Sequence, residues 1–297
     1  MLPPEAVRGD RDPAVPPMPP GLLYSSPAES GSHVIDVLYA IPAWLMALIL
    51  LLCVVATVEG GYRLGCRTPR EVSEPLRSVF ATLLGAVLGL LGLLLAFSFA
   101  MAVTRYDLRQ ALVLREANAI GTTYWRTSFL AEAARVRMQG LLRAYVEVRF
   151  QYYVAGRDQQ RVAQAMTDLE PLQRALWAVV STEAQRDPSA VSVPWVAQAL
   201  NEVIDLSAAS ASARDNHVPE AVLWLLGMAA LLTGGLSGYA CGATAHRQVL
   251  ATSVLAVLVT LVVYVILDLD RPQRGLIHVQ EQALHSLRER VQRDSAW

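Results

Sequence analysis

The stretch "VFATLLGAVLGLLGLLLAFSFAMAV", residues 79–103, decides the fold class of this protein. It has no charged side chain, and at 1.5 Å per residue a helix of this length crosses a hydrocarbon core of about 30 Å. Three further runs share these properties, at residues 37–58, 221–241 and 249–267. Only helices and closed barrels span a bilayer, and unbroken apolar runs of this length indicate helices. The sequence therefore predicts an all-α membrane protein with four transmembrane helices, spans 1 to 4 in chain order.

The composition of the whole chain fits a membrane protein and argues against several other classes. Hydrophobic residues make up 54% and charged residues 17% of the sequence, whereas soluble domains contain about 25% charged residues. The formal net charge of −1 gives no basic footprint for a nucleic acid. The sequence has no nucleotide-binding loop, no serine-hydrolase elbow and no paired-cysteine motif. We therefore expect no enzymatic activity, no cofactor and no nucleic-acid partner, with the lipid bilayer as the surroundings.

The four spans divide the chain into five predicted segments. The first is a proline-rich tail with too few large apolar groups to offset the entropy of ordering, so we expect it to be disordered. Two hairpins of spans enclose a polar segment, which is expected to form a helical extramembrane domain on extensions of spans 2 and 3. The boundaries are 1–35 for the proline-rich tail, 36–103 for the first hairpin, 104–217 for the helical domain, 218–267 for the second hairpin and 268–297 for the C-terminal tail.

Proline and apolar spacing predict the helices of the extramembrane domain. Because no proline interrupts the chain between span 2 and Pro171, span 2 is expected to continue as one helix to about Tyr153. A second helix is expected over 158–183, kinked or broken before Pro171, and a third from about Pro194 to Asn216. The extension of span 2 has an apolar stripe for a partner helix. Its residues are Val113, Ala117, Ile120 and Tyr124.

Arginine positions predict the orientation in a bacterial inner membrane. The loop after span 1 contains Arg63, Arg67, Arg70 and Arg77, and the loop after span 3 contains Arg247. The two membrane faces have nearly equal totals, but the first loop is the densest, and short cytoplasmic loops are enriched in arginine. We therefore expect both short loops in the cytoplasm, with the helical domain and both termini outside it.

Span 2 contains the first candidate functional feature. Gly85, Gly89 and Gly92 lie at helical spacing, and Phe97 and Phe99 lie near the outer end of the span. One interpretation is a small-residue packing face within the subunit. The other is a pore-lining helix with a phenylalanine constriction that closes by dewetting.

Polar residues near the outer membrane boundary form the second candidate feature. Carboxylates at the C-terminus of span 4 oppose the helix dipole, so we expect arginine partners for them and a clamp between the tail and the helical domain. Alternatively, some of these residues form a charged pore mouth that sets ion selectivity, or an ordinary solvated face. The residues are Arg105, Asp107, Arg109, Glu116, Asn118, Asp268, Asp270 and Arg271.

The C-terminal tail contains a weak metal-like pattern. His278, Glu281 and His285 would share one face of a helix and could hold a cation. Short motifs of this kind often match by accident. The alternative is an amphipathic tail, whose apolar side is Leu284, Leu287 and Val291.

Three stretches resemble the bestrophin-like bacterial membrane proteins: "REANAIGTTYWR" (115–126), "LNEVIDLSAAS…VPEAVLWLL" (200–226) and "LDLDRPQRGLIHV" (267–279). The resemblance extends over about residues 36–287 and implies four spans with a helical domain between the second and third. It departs at Gln273, where the family often has an aromatic residue. Bestrophins themselves are pentameric anion channels whose second span lines the pore, and the resemblance implies that Phe97 and Phe99 stand near the hydrophobic neck. Their extramembrane helices face the cytosol, opposite to the orientation expected from the arginines.

Two hypotheses for the function follow. The first is a homo-oligomeric channel for small inorganic ions, with span 2 lining the pore and Glu116 or the Arg105 and Arg109 side chains setting charge selectivity. The second is a non-conducting membrane scaffold or envelope sensor whose helical domain binds a partner. A small-residue face on a span serves both, so the sequence leaves both open.

Overall fold

The computed structural model describes residues 41–67, 74–156, 158–244, 247–271 and 282–293. The proline-rich tail expected at 1–35 lies outside these residues, as does most of the stretch after Arg271. Within the described ranges the regular structure is helical, without a strand, which confirms the all-α prediction. The helices are α1 (Ala43–Arg67), α2 (Glu74–Arg126), α3 (Glu132–Val154), α4 (Gln159–Arg186), α5 (Ser192–Asp215), α6 (Glu220–Ala243), α7 (Val249–Asp270) and α8 (Gln282–Arg293).

Helices α2, α6 and α7 contain predicted spans 2, 3 and 4, and α1 contains residues 43–58 of predicted span 1. The described residues include four helices long and apolar enough to cross a membrane. Large apolar side chains on these helices remain exposed, among them Leu52, Leu232 and Leu250. A surface of this kind is unfavourable in water and is satisfied by lipid. The protein is therefore a multi-pass membrane protein.

Glycines bring α1 and α6 into close contact. A Cβ atom added to Gly61 would overlap the carbonyl oxygen of Gly235, and one added to Gly238 would overlap that of Val58. The backbones are so close because neither helix has a side chain at the contact, which is the usual means of tight helix packing in lipid. This contact fixes the first span against the third.

The helical domain has its own core, built from the outer half of α2 together with α3, α4, α5 and α8. Its most buried members include Met138, Leu142, Leu176 and Leu200. Helix α8 belongs to this core through its apolar side, namely Leu284, Leu287 and Val291. The C-terminal segment therefore packs on the helical domain, and its predicted apolar side is buried there.

The structure corrects two details of the predicted helices. Helix α2 ends at Arg126, and a 3-10 turn at Thr127–Phe129 separates it from α3, so the prediction of one helix to Tyr153 is wrong. The Thr127 hydroxyl donates to the Tyr124 carbonyl at 2.6 Å, and such side-chain bonds compete with helix continuation. Of the two alternatives at Pro171, the break is wrong, because α4 continues through this proline, and the kink stays a prediction.

Candidate functional site

Helix α2 has a packed side and an exposed side along its length. The buried residues repeat at helical spacing and include Leu91, Ser98, Ala102, Arg109, Glu116 and Ile120. Because successive residues turn by about 100°, the opposite side carries a second row. This row, which we call the open face of α2, consists of Gly89, Leu93, Ala100, Asp107, Asn118 and Trp125, all exposed. It extends over about 54 Å at 1.5 Å per residue, from the membrane span to the end of the helical domain.

The span-2 glycines lie on or beside the open face. A Cβ atom added to Gly85, Gly89 or Gly92 would meet no atom within 4 Å. The described residues therefore leave this surface uncovered and lend no support to a packing face within the subunit, which stays a prediction. The span-2 glycines differ in this respect from the glycines between α1 and α6.

Phe97 and Phe99 lie on different sides of α2. Residues two positions apart in a helix point about 200° apart around its axis. The rings of Phe97 and Phe99 therefore cannot both point towards one pore axis. Phe97 is 63% exposed and Phe99 is 41% exposed. Phe97 is also about 60° from the centre of the open face, while Phe99 is about 100° from it. Phe97 is therefore the better candidate for a collar.

The polar residues at the C-terminal end of α7 form a junction of several helices, which we call the α7 junction. Its members are Arg109, Asp268, Asp270 and Arg271, each at most 6% exposed. The Arg109 guanidinium donates to four carbonyl oxygens at the ends of α5 and α7. The distances are 3.0 Å to Ala213, 2.8 Å to Asn216, 3.4 Å to Leu269 and 3.1 Å to Asp270. A cation at two helix C-termini satisfies carbonyls that lack partners within the helices and matches both dipoles.

The α7 junction also contacts the first and third spans. The Asp270 carboxylate accepts the backbone N–H of Val218 at 2.9 Å, just before α6. The Arg271 guanidinium donates to the carbonyl of Ile41, just before α1. Asp107 lies outside the junction, exposed on the open face, and Arg105 is half-buried. The arginine partners expected for the Asp268 and Asp270 carboxylates stay a prediction.

Glu116 lies at the centre of a buried polar cluster, the Glu116 cluster, with Arg149, Tyr153 and Ser210. Glu116 and Arg149 are both 0% exposed. The carboxylate accepts two hydrogen bonds from the Arg149 guanidinium, at Nε and, at 2.6 Å, at Nη2. It also accepts from the Tyr153 hydroxyl at 2.9 Å and the Ser210 hydroxyl at 3.3 Å. Glu116 therefore does not fit the pore-mouth interpretation, because its side chain reaches no open surface.

The electrostatics of the Glu116 cluster favour a charged pair among neutral tyrosines. Burial alone would lower the pKa of Arg149, but the adjacent Glu116 carboxylate raises it above its ordinary value. Burial, with a smaller effect of Glu116, raises the pKa of Tyr145 to about 12. The same causes raise the pKa of Tyr153. The cluster therefore joins α2, α3 and α5 by a charge-assisted network.

Sequence reasoning did not find the partners of Glu116. Tyr145, Arg149 and Tyr153 follow one another at four-residue spacing on α3, so they share one face of that helix. Arg149 also lies over the Tyr152 ring, with its guanidinium carbon 4.5 Å from the ring centre. A basic residue among tyrosines at this spacing was the available signal, but the sequence contains many other arginines.

The weak metal-like pattern gains no support among the described residues, in which no group of potential ligands could hold a metal ion. His278 and Glu281 lie outside the described ranges. His285 contacts the Glu289 carboxylate at 3.2 Å and packs edge-on against Phe150.

The comparison with known proteins agrees with this architecture. A family model described as the bestrophin-like domain matches residues 35–284. The chain belongs to the bestrophin-like family. A crystal structure described as that of a membrane protein resembles this bestrophin-like chain with a TM-score of 0.58 and 14% identity, covering 84% of this chain and 99% of the other. At this identity the likeness concerns the fold alone. No curated protein matches the chain.

Proposed function

We propose that this bestrophin-like protein is a homo-oligomeric ion channel in the inner membrane of a bacterium, with the open face of α2 lining the pathway. The observation that supports this proposal most is the group of exposed glycines in the span of α2, which no described residue covers. The exposed residues of α7 are mostly large, as at Leu250, Leu258 and Leu261. The exposed side of α2 includes Gly85, Gly89 and Gly92 within its span, beside the exposed Leu90 and Leu93.

Small residues on an exposed membrane helix suit another helix or a water-filled path better than they suit lipid. They permit close approach of a neighbouring backbone, and they leave room around an axis shared by several copies. Polar Asp107 and Asn118 continue the same side beyond the span. An assembly around α2 would therefore place small, apolar and then polar side chains in sequence along one path.

The α7 junction and the Glu116 cluster support this role by holding α2 rigidly. Arg109 connects α2 to the ends of α5 and α7, and Glu116 connects it to α3 and α5. Both contacts lie on the packed side and leave the open face unobstructed. For the orientation we propose cytoplasmic short connections, on the grounds of the arginines after span 1.

The test combines oligomeric state with ion flux in liposomes. We expect a stable homo-oligomer in detergent and a flux above that of protein-free liposomes. Gly89→Trp should abolish the flux by filling the path. Leu250→Trp is the matched control, because Leu250 is 80% exposed on α7 and should face lipid. A monomer, or an inserted oligomer without flux, would contradict the proposal and favour a non-conducting scaffold or sensor.

A further inference from the structure

Charged residues on the outer half of α2 divide between its packed and open sides. Arg109 and Glu116 are both buried and engaged with neighbouring helices. Arg105 is half-buried, about 160° around the helix from Asp107, which lies on the open face. Glu116, Arg105 and Arg109 therefore do not lie on the open face of α2, although the sequence offered them as determinants of ion selectivity.

Asp107 lies on the open face, four residues beyond the end of predicted span 2. It is exposed and lies five helical turns from Gly89, which puts the two residues on the same side of α2. No residue within the described ranges forms a hydrogen bond or ion pair with its carboxylate. Ala100, Ala111 and Leu114, which are exposed on the same side of α2, are apolar. The negative charge of Asp107 is therefore not neutralised by the described part of its own subunit.

Arg115 is the nearest exposed cation further along α2. It lies about 80° around the helix from Asp107 and about 12 Å further from the membrane. An ion that leaves the span would meet the carboxylate first and face it more directly. The interaction between the charges of Asp107 and Arg115 would also be partly screened by salt, since the Debye length at physiological ionic strength is about 8 Å.

We infer that the pathway prefers cations and that Asp107 determines this preference. The inference rests on the proposed function, because one carboxylate from each copy forms a ring only if the copies assemble around α2. Rings of aspartate or glutamate are the usual device of cation-selective pores, since they concentrate cations and repel anions at the entrance.

The experiment measures the cation-to-anion flux ratio of the reconstituted oligomer across a potassium chloride gradient. The parent should favour potassium. Asp107→Asn should lower the ratio by at least about fivefold, the effect of one unit charge about 4 Å away at the dielectric constant of bulk water. Asp107→Glu should keep the parental ratio. Glu170→Gln, which removes an exposed acid from α4, is the charge-matched control and should leave the ratio unchanged.

The possible results separate this inference from the proposed function. A conducting parent that favours chloride, or an Asp107→Asn variant with the parental ratio, would overturn the inference and leave the channel proposal standing. A parent that inserts and assembles but conducts neither ion would overturn both. A reduced ratio in Glu170→Gln equal to that in Asp107→Asn would assign the effect to net surface charge and would also overturn the role of Asp107.

Discussion

The buried ion pair between Glu116 and Arg149 permits a quantitative prediction of stability. Replacing Glu116 by Gln keeps the shape of the side chain but removes its charge, which leaves the Arg149 guanidinium fully buried and uncompensated. Removing one partner of a buried ion pair lowers the free energy of unfolding by about 3–5 kcal/mol, because the remaining charge stays buried away from water without a counter-charge. The Tyr153 and Ser210 hydroxyls can still donate to the amide oxygen, so their hydrogen bonds add little to this cost.

The assay is equilibrium unfolding in mixed detergent micelles, followed by loss of helicity. Glu116→Gln and Arg149→Met should each lower the free energy of unfolding by about 3–5 kcal/mol. The double variant should lose no more than either single variant, because it removes both charges together. Glu132→Gln is the control, since the pair of Glu132 and Arg135 is exposed and such pairs contribute less than about 1 kcal/mol.

Two results would refute this reasoning about the Glu116 cluster. The first is a Glu116→Gln variant within about 1 kcal/mol of the parent, which would mean that water reaches the pair. The second is a double variant whose loss equals the sum of the two single losses, because independent sites add and coupled sites do not.

The remaining predictions concern close packing, the collar and topology. Gly238→Ala should lower the free energy of unfolding by about 1–3 kcal/mol, because its methyl group overlaps the backbone of α1. Gly89→Ala should change this free energy by no more than about 0.5 kcal/mol. Equal losses in the two variants would contradict the close packing of α1 and α6. In liposomes, Phe97→Ser should raise ion flux more than Phe99→Ser, since Phe97 is nearer the centre of the open face, and the reverse order would assign the collar to Phe99. A single cysteine at Gln159 should react with a membrane-impermeant maleimide in intact cells, and labelling only after lysis would reverse the proposed orientation.

The membrane architecture could be predicted because long apolar runs are a strong signal that no local detail can cancel. The structure places α6 at Glu220–Ala243, around the predicted span 221–241. The end of α2 at Arg126 was missed because its signal is weak: two adjacent hydroxyl residues, Thr127 and Ser128, that bond back to the preceding turn. Local propensity alone did not distinguish this break from a continuous helix.

The candidate site was harder to predict because periodicity identifies faces but not their partners. The sequence offered Glu116 as a candidate polar residue but not its partner, and the structure supplies Arg149, 33 residues away in sequence on α3. Likewise, the glycines of span 2 and those of α6 look alike in sequence. Only the fold distinguishes Gly238, where an added Cβ atom would overlap a backbone, from Gly89, where it would meet no described atom within 4 Å.

Cysteine accessibility along α2 tests the central claim, a water-filled path along the open face, most directly. In a background without the three native cysteines, single cysteines would be placed at Ala96 or Ala100 on the exposed side, at Ala102 on the packed side, and at Leu258 on the lipid-facing side of α7. The reconstituted oligomer would then be treated with a charged, water-soluble thiol reagent while ion flux is recorded. The account predicts that the cysteines at Ala96 and Ala100 react and that the reaction blocks flux, while those at Ala102 and Leu258 do neither. Unreactive cysteines at both Ala96 and Ala100, in an oligomer that conducts, would contradict it.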